Sequence, residues 1–81
     1  MLRIEKTKEE NRDILHLIGE VDASNSVLLD QSIQEVVQQG TSFLLIDGKE
    51  LGYISSAGLG VFMSYLDDFS ERGVRFAIFG L

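Results

Sequence analysis

What most limits the fold of this chain is the way its second half switches between two kinds of apolar pattern. Phe43-Leu44-Leu45-Ile46 is a continuous apolar run, too short for a helix and typical of a strand buried on both faces. Leu59, Phe62, Met63, Leu66 and Phe69 then recur at helical spacing, with Asp67, Asp68, Glu71 and Arg72 turned to solvent. Val74-Arg75-Phe76-Ala77-Ile78-Phe79 reads as a further buried strand. A strand, a helix and a strand in that order predict a right-handed parallel crossover with the helix packed on the sheet.

The remaining segments extend this pattern. Asp47, Gly48 and Gly52 mark the exit of the central run, and Gly73 ends the helix. Leu2–Glu9 and Asp13–Gly19 read as strands joined by a turn at Asn11, the second carrying Ile14-Leu15-His16-Leu17-Ile18. From about Ser26, the residues Leu29, Ile33, Val36 and Val37 share one helical face, opposite Asp30, Gln31, Gln34, Glu35 and Gln38, and Gly40 stops that helix. The expected architecture is α/β: a mixed sheet with amphipathic helices packed on it, in the order β-β-α-β-α-β. Two helices leave part of such a sheet uncovered.

Several function classes are disfavoured by composition. Eighty-one residues make one small domain with one core, and no run approaches a membrane span. The chain has no cysteine, so disulfides, thiolate metal sites and cysteine nucleophiles are excluded. A net charge of −6 repels phosphate backbones, which argues against nucleic acid and for a basic protein surface as partner. Met1-Leu2-Arg3-Ile4-Glu5-Lys6 lacks the apolar block of a secretory signal, so a cytoplasmic location is expected.

Catalytic motifs fail in register. A nucleophile elbow around Ser56 would need glycine where Ile54 stands, and a dinucleotide glycine pattern from Gly58 meets Met63 where its last glycine belongs. His16 is the only histidine and has no partner recognisable from spacing, so it reads as an ordinarily packed strand residue. Glu20 and Asp22 are close enough for paired acid–base work, but a cap or turn before the first helix is the stronger reading for Asp22. The apolar residues of Leu59–Phe69 read as core, and no cofactor or metal is expected.

The stretch Tyr53-Ile54-Ser55-Ser56-Ala57-Gly58-Leu59-Gly60 leaves a strand and opens a helix, which places adjacent hydroxyls at a helix N-terminus. Unpaired N–H groups and the macrodipole make that position hospitable to an anion such as a phosphoserine. Serine is also a preferred N-cap, and the competing reading is that one hydroxyl only holds the first turn. Glycine in the first turns costs about 1 kcal/mol against alanine, so Gly58 and Gly60 point to close approach by another backbone or a partner.

These residues resemble the STAS domain, and within it the bacterial anti-sigma factor antagonists. Gly19-Glu20-Val21-Asp22 is similar to the family's G-E-[LIV]-D, Leu45-Ile46-Asp47 to its central strand, and Ser55-Ser56-Ala57-Gly58-Leu59-Gly60 to its D-S-[ST]-G-L-G signature. The family's phosphorylated serine falls on Ser56 and its neighbouring Ser/Thr on Ala57, while Ser55 stands where the switch proteins carry aspartate; Ser55 is the second candidate for phosphate. The resemblance implies a non-enzymatic protein that binds an anti-sigma factor serine kinase and so releases a sigma factor. Phosphorylation would break that complex, and a serine phosphatase would reset it. Glu20, Asp22, Ser55, Ser56, Ala57, Gly58 and Leu59 would form the partner surface.

STAS domains usually continue with one or two helices past the strand that ends here, so residues 1–81 are expected to form a single domain lacking that segment. A monomer is expected, or a dimer if that end is truly absent. The alternatives are a STAS scaffold subunit of a signalling or transport complex that is never phosphorylated, and a small-ligand module using the crevice at the strand ends.

Overall fold

The structure, a computed structural model, describes all residues 1–81. Four strands form one sheet in the order β1-β2-β3-β4. β1 (Leu2–Glu9) pairs antiparallel with β2 (Arg12–Val21), while β2, β3 (Phe43–Ile54) and β4 (Arg75–Phe79) run parallel. The crossovers are α1 (Ser26–Gln38) and α2 (Ser56–Arg72). The expected element order and mixed sheet are therefore present. Neither helix is long and apolar enough to cross a membrane.

Both helices lie on one face of the sheet and touch each other, with the Tyr65 hydroxyl of α2 donating to the Asp30 carboxylate of α1. Burial, with that carboxylate, pushes the Tyr65 phenol up to about 12. A single core fills the layer between helices and sheet. It is built from Leu15, Leu17 and Val21 of β2, Leu44 and Ile46 of β3, Leu29, Ile33 and Val36 of α1, and Phe62 and Phe69 of α2. Phe76 of β4 meets the Phe69 ring edge-on at a centroid distance of 5.1 Å and lies 6.3 Å from Phe62. The opposite face of the sheet carries no helix, and cations lie over two of its aromatic rings: Arg75 over Phe43 and Lys49 over Phe79.

Four expectations are corrected. First, β3 does not end at Ile46 but continues through Asp47, Gly48 and Gly52 to Ile54. It is an internal strand, and its ladder to β2 overrides the turn preference of those residues, with register shifts between His16 and Ile18 and between Gly19 and Glu20. Second, the central run is not buried on both faces: Phe43 and Leu45 are only half-buried, and β4 is a partly exposed edge strand that excludes Val74.

Third, the buried stripe of α2 is displaced. Gly58, Phe62 and Phe69 are buried with Tyr65 half-buried beside them, whereas Leu59, Met63 and Leu66 are 43%, 68% and 50% exposed. Gly58 explains the displacement. A Cβ built there would lie 2.6 Å from Val21 Cγ1 and 2.8 Å from Ile54 Cγ1, so the bare glycine lets the helix sit directly on the sheet. Fourth, His16 is not an isolated core histidine. The buried Asp47 carboxylate accepts from His16 Nδ1–H at 2.9 Å, and with the ring neutral Nε2 accepts from the Thr7 hydroxyl at 3.0 Å.

Candidate functional site

Parallel pairing delivers the C-terminal ends of β2 and β3 to the same edge of the sheet, with Glu20 opposite Tyr53 and Val21 opposite Ile54. The Ser55 N–H donates to Val21 O at 2.9 Å, which ties the start of α2 to the end of β2. Because α1 and α2 both leave from this edge, two helix N-termini open at one end of the molecule. Neither has an acidic residue in its first turn to neutralise its partial positive charge.

The two serines are distinguished by backbone geometry. Ser55 is the N-cap of α2, with φ −80° and ψ 169°, and its Oγ accepts from the Gly58 N–H at 3.3 Å. Ser56 is the first helical residue and is exposed, and its hydroxyl makes no hydrogen bond within the protein. Capping therefore occupies Ser55 and leaves the Ser56 hydroxyl free, beside backbone N–H groups suited to an anion. Ala57 and Leu59 are exposed next to it.

Asp22 serves as the turn residue the sequence favoured. Its Oδ1 accepts from Ser24 Oγ at 2.6 Å, from Ser24 N–H at 2.9 Å and from Asn25 N–H at 3.2 Å. The Ser24 hydroxyl outweighs the desolvation that opposes it and, with the two backbone donors, holds this carboxyl below its usual range. Asn25, which sequence reasoning missed, fastens the same turn to β2: its Oδ1 accepts from Asp22 N–H and its Nδ2 donates to Glu20 O. The signal was present in the Asp-Ala-Ser-Asn run, whose short polar side chains are those that form such turns. The Glu20 carboxylate is exposed, 4.0 Å from the N-terminal amine.

Gly19 makes this edge compact. Its φ is +106°, and a side chain there would collide with the Met1 carbonyl, which accepts from Glu20 N–H at 3.0 Å. The two glycines of α2 differ in role. Gly58 is buried under Val21 and Ile54, so the close approach it permits is that of α2 to its own sheet, and it offers no surface to a partner. Gly60 has nothing within 4 Å of a built Cβ and faces open space. Tyr53, Val27 and Leu28 are further exposed side chains at this end of the molecule.

The Thr7–His16–Asp47 chain has the hydroxyl–imidazole–carboxylate order of a nucleophilic relay, but it lies on the open sheet face. The Lys49 N–H beside Asp47 is spent on that carboxylate, so this donor is not turned toward the Thr7 hydroxyl to hold an oxyanion. Its role is to tie three strands. Burial raises the Asp47 carboxyl, yet the Lys49 N–H at 3.0 Å, His16 and the Lys49 charge outweigh burial and hold it below its usual range. A hollow lined by Glu9, Glu10, Asn11, Arg12, Phe43 and Arg75 lies at the other end of the sheet, away from Ser56.

Comparison with known proteins agrees with this geometry. An anti-sigma factor antagonist from Mycobacterium paratuberculosis superposes with a TM-score of 0.83 at 20% identity, over 96% of this chain and 66% of that one. The unphosphorylated anti-sigma factor antagonist SpoIIAA gives 0.76 at 16% identity, over 96% and 71%. A different protein, Mglu, gives 0.78 at 16% identity over 91% of this chain but only 18% of its own length. This chain thus spans about two thirds of the first of these structures. No curated protein matches the sequence. The STAS domain profile matches residues 3–81, from the first strand to the last residue, and the chain belongs to the STAS domain family.

Proposed function

We propose that this protein is an anti-sigma factor antagonist whose binding is switched by phosphorylation of Ser56. The observation that carries the proposal is the division of labour between the serines: Ser55 is committed to the cap, while Ser56 presents a free, exposed hydroxyl on the first turn of α2. The unphosphorylated protein binds a serine-kinase anti-sigma factor through Glu20, Asp22, Ser55, Ser56, Ala57 and Leu59, with the side-chain-free Gly60 admitting the partner's backbone. The occupied kinase no longer holds its sigma factor, and transcription proceeds.

In the switching step the kinase moves the ATP γ-phosphoryl group to Ser56 Oγ. The bond to ADP breaks, and the hydroxyl proton passes to a base on the kinase. Phosphate adds about −1.5 to −2 charge to the contact surface. That charge arrives beside Glu20 and Asp22 on a chain already at −6, so the complex separates by repulsion and desolvation. The α2 N-terminus stabilises the phosphate locally, and the fold need not change. Ser56 is a substrate residue here: catalysis belongs to the kinase and to the phosphatase that resets the switch, and all act in the cytoplasm.

The test is binding to the kinase with ADP by titration calorimetry, joined to peptide mass spectrometry after incubation with kinase and ATP. Ser56→Ala should bind as the parent does and take no phosphate, while Ser56→Asp should bind more weakly. Equal binding by both variants and the parent, with no phosphate on the parent, would refute the switch. A second reading, a scaffold that docks constitutively, is favoured by Ser55, which caps without the charge of the family's aspartate. Absence of phosphate in protein isolated across growth and stress conditions would favour it.

A further inference from the structure

Three hydroxyls in the chain donate to a basic side chain, and the acceptor decides what each can do. Ser24 donates to the Asp22 carboxylate, which is held below its usual range and is a poor base. Tyr65 donates to Asp30, and its phenol is pushed up to about 12. Thr7 alone donates to an imidazole, His16 Nε2 at 3.0 Å, and this is the only hydrogen bond its hydroxyl makes.

An alcohol becomes a nucleophile when a base takes its proton, and this imidazole is set to do so. The Asp47 carboxylate accepts from His16 Nδ1–H at 2.9 Å, which fixes the tautomer and leaves the Nε2 lone pair to Thr7. Asp47 is buried and is itself held by the Lys49 N–H at 3.0 Å, so the ring keeps its orientation. Glu5, opposite His16 in the β1–β2 register, is paired with Arg3 at 3.4 Å and does not compete for the ring. Thr7 is exposed on β1, the outer strand of the sheet, so a small molecule can reach its hydroxyl.

From this geometry we infer that the chain tying three strands together also makes Thr7 an acyl-acceptor site, which takes one acyl group from an activated ester with His16 as its base. Thr7 Oγ attacks the carbonyl carbon while its proton passes to His16 Nε2. The bond from that carbon to the leaving oxygen breaks, and the imidazolium returns the proton to the departing group. A threonine ester and a neutral ring remain. The acyl group then stays in place. The Lys49 N–H is spent on Asp47 and gives the ester no oxyanion donor, and one such donor is worth about 10²–10³ in rate. Hydrolysis of the threonine ester, which must expel a poor alkoxide leaving group, needs that help more than attack on an activated ester does. The protein is thus modified once and does not turn over. The site is separate from Ser56, and the inference stands whether or not Ser56 is phosphorylated.

The test is incubation of the full chain with p-nitrophenyl acetate, with the acetylated residues followed over time by peptide mass spectrometry. The parent should gain an acetyl ester on Thr7 that hydroxylamine removes, unlike the amides formed at lysines and the N-terminal amine. His16→Gln should acetylate Thr7 about 10²-fold more slowly or less, while its lysines react at the parent's rate. Asp47→Asn should do the same, because the amide donates to Nδ1 and turns the ring to the tautomer with no free Nε2 lone pair. Circular dichroism matching the parent qualifies each variant, and His16→Gln decides alone where Asp47→Asn does not fold. Thr7→Ser, less crowded at the same position, should react faster than the parent. A parent acetylated only on its amines overturns the inference, as does a folded His16→Gln protein that acetylates Thr7 as fast as the parent.

Discussion

One substitution made at two neighbouring positions of α2 tests the packing argument. Glycine to alanine in a helix interior is worth about 0.8–1 kcal/mol in propensity. At Gly60, where a Cβ meets nothing within 4 Å, that gain is realised and Gly60→Ala should stabilise the protein by about 0.5–1 kcal/mol. At Gly58 the same methyl lies 2.6 Å from Val21 Cγ1 and 2.8 Å from Ile54 Cγ1. Both neighbours are β-branched stems with little freedom at χ1, and Val21 is 0% exposed, so the helix must lift from the sheet or a rotamer must strain. Overpacking of this kind costs about 1–3 kcal/mol. With two stiff contacts the upper half applies, and after the propensity gain Gly58→Ala should be destabilised by about 1–2 kcal/mol. The variants should therefore differ by about 2–3 kcal/mol, on the order of 10–20 °C in Tm for a domain of this size. Urea denaturation and thermal melts at pH 7 measure the difference. A Gly58→Ala protein as stable as its parent would refute the claim that this glycine seats α2 on the sheet.

Other measurements bear on the remaining features. Ser55→Ala should lose about 0.5–2 kcal/mol of stability with the α2 cap, whereas Ser56→Ala should stay within about 0.5 kcal/mol of the parent in the same urea titrations. Asp47 should shape the acid limb of the stability curve. Its carboxyl takes up a proton near 3.8 in the unfolded chain and only at lower pH when folded, so its contribution is complete above that value and is lost as pH falls through the folded one. Asp47→Asn should flatten that limb in a pH series of melts and cost about 1–3 kcal/mol at pH 7, where a charged acceptor is lost from the His16 and Lys49 hydrogen bonds. Phe69→Ala should cost about 3–5 kcal/mol, enough to leave a large unfolded fraction by circular dichroism at 25 °C.

The parts of the fold legible in the sequence were those encoded by local pattern. The two crossovers follow from apolar runs alternating with helical periodicity, and Gly40 and Gly73 stand at the helix ends with φ of +89° and +74°. The serine pair was legible as a helix N-terminus because cap chemistry is local as well. What escaped depends on pairing or on depth. The length of β3 was hidden because Asp47, Gly48 and Gly52 carry turn signals that the ladder to β2 overrides, β4 reaching only as far as Asp47. The buried face of α2 differs from the expected one because the two candidate stripes share Phe62 and Phe69 and diverge only at their flanks, and the choice belongs to Gly58, whose absent side chain leaves no hydrophobic signal. The bond from His16 to Asp47 joins residues 31 apart in sequence, and no spacing rule reaches across a helix.

Thr7, His16 and Asp47 lie in line across three strands, and that alignment acts as a checksum on strand assembly. Thr7 reaches His16 because β1 pairs with β2 in a single register, Thr7 opposite Ile14 and Glu5 opposite His16. A slip of one residue in β1 would bring Lys6 or Lys8 to the place of Thr7 and would send the apolar Leu2 and Ile4 to the open face. A slip between β2 and β3 would take the Asp47 carboxylate away from the ring in the same way. A slipped hairpin thus loses the Thr7–His16 bond and exposes Leu2 and Ile4, and a slipped crossover leaves the buried Asp47 carboxylate without its imidazole, so both errors are penalised relative to the aligned register.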